Sequence, residues 1–148
     1  MRPTLLLLPL LVLGCAKSET PQSGSATQAA GVKLTEADVA GTWSGTAKMA
    51  GSDSVAQHWT EICAGGTCRG TTQEQPKDTI PSTYTIAGDS AVGVSPQYTD
   101  PNMPGGPIVE HWTIHPTGNQ LTGTGYITLA SKPDSVLARF TITGARKP

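Results

Sequence analysis

Residues 53–70 read DSVAQHWTEICAGGTCRG. Val55 to Cys63 forms one strand, Ala64-Gly65-Gly66-Thr67 a tight turn between two cysteines, and Cys68 begins the return. A Gly-bearing turn between two β-rich runs is a hairpin signal. The block recurs: His58-Trp59-Thr60 precedes His111-Trp112-Thr113 by 53 residues, and Gly65 and Gly70-Thr71 precede Gly118 and Gly123-Thr124 by the same distance. A fainter copy of the first strand runs from Asp134-Ser135-Val136 to Phe140-Thr141. The chain is therefore organised around repeated hairpins.

Period-two alternation extends the pattern along the chain. Strands are expected at Gly41–Met49, Val55–Cys63, Thr67–Gln73, Ser82–Ala87, Ser90–Val94, Ile108–His115, Leu121–Leu129 and Val136–Gly144. Trp43, Ala47 and Met49 share a face, as do Leu121, Ile127 and Leu129, and Val136, Ala138, Phe140 and Ile142 are read as core-facing. With 17 Gly and 12 Pro in 148 residues, turns are frequent, and no long helical pattern interrupts the strands. The fold expected is an all-β, eight-stranded antiparallel up-and-down meander. Closure into a small barrel removes both exposed edges; a β-sandwich is the alternative. Gly41, Gly45, Gly70, Gly123 and Gly125 are read as points where strands bend.

Connections in a meander alternate between its two ends. The turns at 64–67, 88–89 and 116–120 are tight, whereas those at 50–54, 74–81, 95–107 and 130–134 are mostly longer. One end should be closed and the other should carry the long loops. Tyr98 and Met103 in the 95–107 segment are candidate contacts for a ligand or partner. Leu34 to Val39 is read as a helical turn with Thr35 and Asp38 in capping-box spacing, plugging the domain where the chain enters it.

The N-terminal residues carry an address. Leu5–Leu13 is an apolar run after a single positive charge, too short for the roughly 20 residues a bilayer span needs. Val12-Leu13-Gly14-Cys15 resembles the lipobox of bacterial lipoproteins, with Leu13 bulkier than usual; the alternative is an ordinary cleaved signal. The resemblance implies residues 1–14 as signal peptide, lipidation at Cys15, and a membrane-anchored envelope protein. Ala16 after the cysteine implies outer-membrane sorting, facing the periplasm or cell surface. Residues 15–33 lack apolar periodicity and read as a flexible tether, leaving 34–148 as one domain. With Cys15 lipidated, Cys63 and Cys68 remain as a pair, and an oxidising envelope favours a structural disulfide across the turn.

Gly41-Thr42-Trp43 resembles the G-x-W signature of lipocalins and the related avidin barrels, and Leu121–Tyr126 resembles an avidin-type strand. None of that family's ligand residues maps onto the chain.

Chemistry is sparse. Net charge is -1 with no basic run, so nucleic acid is not an expected partner. His58, His111 and His115 lie on strand faces opposite Trp59 and Trp112, spaced too far apart along the strand to share an ion, so no metal is expected. No nucleophile, zinc-hydrolase or phosphate-loop motif is present. Glu61 and Glu110 flank the two H-W-T triplets out of register with the repeat and read as surface charges. No catalytic residue and no cofactor are expected, and the chain is not read as an enzyme. Two roles remain: an accessory subunit docking on an envelope complex, or a barrel holding a small apolar ligand. Trp43, Trp59 and Trp112 join Tyr98 and Met103 as possible contacts in either.

Overall fold

A computed structural model describes residues 33–77, 79–103 and 105–148. The signal, Cys15 and most of the tether lie outside them. The described chain forms one helical turn, α1 (Glu36–Val39), and eight strands. These are β1 (Gly41–Met49), β2 (Val55–Ala64), β3 (Thr67–Thr72), β4 (Ile80–Ala87), β5 (Ser90–Val94), β6 (Ile108–Thr117), β7 (Gln120–Leu129) and β8 (Lys132–Arg146). Each strand pairs antiparallel with its sequence neighbours, and β8 pairs with β1 to close the ring. The architecture is the closed up-and-down barrel, not the sandwich.

Inward positions follow the alternation. Trp43, Ala47, Cys63, Cys68, Tyr84, Ala91, Ile108, Trp112, Ile114, Leu121, Ile127 and Phe140 are buried. The strand glycines answer a different need from the bending expected of them. A Cβ at Gly93 would lie 2.1 Å from the Trp112 ring, one at Gly125 2.2 Å from Phe140, and one at Gly45 or Gly144 2.6 Å from Trp59. Rings this large fit inside a small barrel only by lying flat across a neighbouring strand, and glycine leaves that space.

Strand limits depart from expectation at proline. Pro81, Pro116 and Pro133 fall within β4, β6 and β8 rather than in loops. Pro133 is accommodated because the β7–β8 register jumps there: Thr128 faces Val136 and Leu129 faces Lys132, so residues 133–135 have no partner. The β7–β8 connection is accordingly a tight turn, not a long loop. Val136, on this protruding start of β8, is 40% exposed instead of core.

The closed end is built by the N-terminal turn. Thr35 donates from its backbone N–H and its Oγ1 to Asp38 Oδ2, at 2.8 and 2.6 Å, which fixes α1. Leu34 and Val39 then pack on Trp43, the Cys63–Cys68 disulfide, Tyr84 and Leu121. Glu36 accepts from the Gly65 N–H at 2.8 Å and the Tyr84 hydroxyl at 2.5 Å. Burial, then Glu36, pushes the Tyr84 phenol up to about 12. Arg146, at the end of β8, lies over the Trp43 ring at 4.3 Å and donates to Ala40 O and Asp38 O. Lys33 therefore leaves the barrel at this end, opposite the 95–107 loop.

At the far end β3 and β5 are short, with 6 and 5 residues against 10 in β6 and β7. The loops that follow them occupy the gap. Tyr98 bridges to Ile108 through hydrogen bonds of 3.0 and 2.8 Å, and Gln75 Nε2 donates to Asp100 Oδ1 at 3.3 Å, joining the two loops.

Candidate functional site

In a ring of eight, the second and sixth strands face each other across the interior. These strands carry the repeated triplets. The 53-residue offset equates Gln57, Trp59 and Glu61 with Glu110, Trp112 and Ile114, and all six line one chamber inside the barrel. Phe140 and Ile142 of β8, Ala47 of β1 and Ser82 of β4 complete its wall. The chamber measures about 80 Å³. A water needs about 10–15 Å³, so several waters or one compact organic molecule fit.

Glu61 and Glu110 are therefore interior groups, not the surface charges expected. Alternation decides this: Glu61 lies two residues from both Trp59 and Cys63, and Glu110 two from both Ile108 and Trp112. Applied to every residue instead of the apolar ones alone, the period-two rule places both carboxyls inside. Glu61 crosses the wall at Gly70, where an added Cβ would meet Glu61 Cγ at 2.8 Å.

The electrostatics follow from the surroundings. Burial raises the Glu61 carboxyl to about 7, and the Glu110 charge adds to the rise. Burial also raises Glu110, with Asp100 adding to it, while the Tyr98 hydroxyl, 3.4 Å from Oε2, offsets part of the effect. Both groups keep some accessible surface because they face the chamber, although protein encloses them. Among the described residues lining the chamber there is no lysine, arginine or histidine. Trp59 Nε1 and Ser82 Oγ are buried without a protein partner. Such groups are costly unless water or a ligand completes them.

The other expected contacts divide. Trp59 and Trp112 line the chamber. Trp43 is walled into the closed end, its Nε1 donating to Val39 O at 2.8 Å. Tyr98 and Met103 pack against the Ile108, Ile127 and Phe140 cluster, so the 95–107 loop covers the far end. The histidines face outward in separate contacts: His58 with Glu74 (3.5 Å), His111 stacked on Tyr126 (4.5 Å), His115 with Ser90 Oγ (3.1 Å). Glu61 also lies near the sulfurs of Cys63 and Cys68, but these are joined in a disulfide and offer no thiolate to a metal.

Fold and site together define a closed antiparallel barrel, plugged at one end and loop-covered at the other, around a ring-walled chamber with two carboxyls. Comparison with protein-family models, curated proteins and solved structures finds no match.

Proposed function

We propose that the chain is a lipid-anchored envelope protein whose barrel binds a small molecule in its interior, in the manner of lipocalin-like carriers. The observation that carries this reading is the chamber itself. Two carboxyls line it, and Trp59 Nε1 and Ser82 Oγ of its wall residues lack a protein partner. The anchor rests on Val12–Cys15, and Lys33 at the plugged end directs the loop-covered end away from the membrane. The role is non-catalytic.

Exposed apolar residues favour a second reading, docking on an envelope partner. Ile62 is 61% exposed, and Val92, Val94, Val136 and Leu137 also face solvent.

Native mass spectrometry of the membrane-extracted chain tests both. A chain starting at Cys15 with a lipid-sized increment, releasing a small molecule on denaturation, is the expected result. A stable assembly with other chains and no small molecule supports docking instead. A chain retaining residues 1–14 without lipid overturns the anchor.

A further inference from the structure

Which ligand suits the chamber follows from its wall; this step rests on the binding reading above. We propose that the chamber selects a small organic cation, an ammonium or amidinium group on a flat apolar body. Glu61 and Glu110 hold the charge, and the rings of Trp59, Trp112 and Phe140 hold the body.

Three observations converge. First, two carboxyls share one chamber with no cation among its described lining residues. Their mutual repulsion, and the loss of water around each, are relieved by a ligand that brings a positive charge between them. Second, the rest of the wall is aromatic and aliphatic, and aromatic faces attract cations most strongly where water is excluded. Third, Ser82 in the same wall is only 4% exposed and its Oγ has no protein partner. A neutral apolar guest leaves the carboxyls unanswered, and an anion is repelled. The two acids also stand on facing strands, so a cation bound between them is contacted from both sides. Gly70 belongs to this design, because a side chain there would displace Glu61.

The test titrates the full chain, in non-ionic detergent at about pH 8, with three probes of one shape: benzylammonium, benzyl alcohol and benzoate. Fluorescence of the chamber tryptophans reads binding. Benzylammonium should bind about tenfold or more tighter than benzyl alcohol, with benzoate weakest. In the Glu61→Gln/Glu110→Gln double variant that preference should collapse while benzyl alcohol binding persists, with circular dichroism verifying the fold. Equal affinity for benzylammonium and benzyl alcohol overturns cation selection and leaves the binding barrel standing. Cation preference surviving in the double variant overturns the assignment to these two residues. No response to any probe from folded protein overturns the binding barrel as well.

Discussion

At the scale of single residues, the barrel interior trades stability for two acids. Glu61 has a folded pKa of about 7, above its ordinary 4.5. A raised carboxyl binds its proton more tightly in the folded state, so its contribution is fully present below about pH 4.5 and lost as pH rises through about 7. Unliganded protein should therefore be more stable to urea at pH 5 than at pH 8, with an upper bound of about 3 kcal/mol from this group. Glu61→Gln should flatten that slope; an unchanged slope would mean that other groups dominate it. Glu110, Asp100 and Tyr98 are the neighbours to watch in the same titration. The glycines beneath the rings make a second prediction. Gly93→Ala and Gly125→Ala force the Trp112 and Phe140 rings off their places and should each cost about 1–3 kcal/mol in urea unfolding. The tryptophans were legible as core residues because they are large and apolar. The acids were not, since charge usually outweighs alternation when a strand is read. The repeat also hid them, by pairing Glu61 with Ile114 and Glu110 with Gln57.

Among the elements, all eight strands were legible, and their errors cluster at proline. The expected connections include Pro81, Pro116 and Pro133, yet all three sit within strands, Pro133 beside a register jump that the sequence does not announce. The β2–β3 hairpin was the clearest element and carries a disulfide between directly facing residues. Closing so short a loop restricts the unfolded chain by about 2 kcal/mol. A Cys63→Ala/Cys68→Ala variant should fold, and its unfolding free energy in urea should fall by that amount plus the loss of buried sulfur packing. Because α1 packs on the disulfide, amide exchange near Glu36 should accelerate in the same variant.

For the whole molecule, the parity of connections predicted one closed and one loop-bearing end, and the barrel has that polarity. Missing from the sequence was the loop's inward turn: Tyr98 and Met103 pack on the Ile108, Ile127 and Phe140 cluster instead of waiting in solvent. Which way a Pro-rich loop folds depends on tertiary contacts such as the Tyr98–Ile108 bridge, which no local sequence pattern marks. Tyr98→Ala should make Trp59 and Trp112 more accessible to acrylamide quenching, while Trp43 at the opposite end stays protected. Unaltered quenching would show that the loop does not control access.

The seam between β1 and β8 is the barrel's one pairing of strands distant in sequence. Every other pair joins strands consecutive in sequence, which meet at a smaller entropic cost. Arg146 reaches Asp38 and Ala40 across more than a hundred residues, so the end of β8 supplies the clasp. Neighbouring strands can pair one after another along the chain, but the ring shuts only once β8 reaches β1. Until then the sheet carries two open edges, each a row of unpaired backbone groups that another chain could pair with.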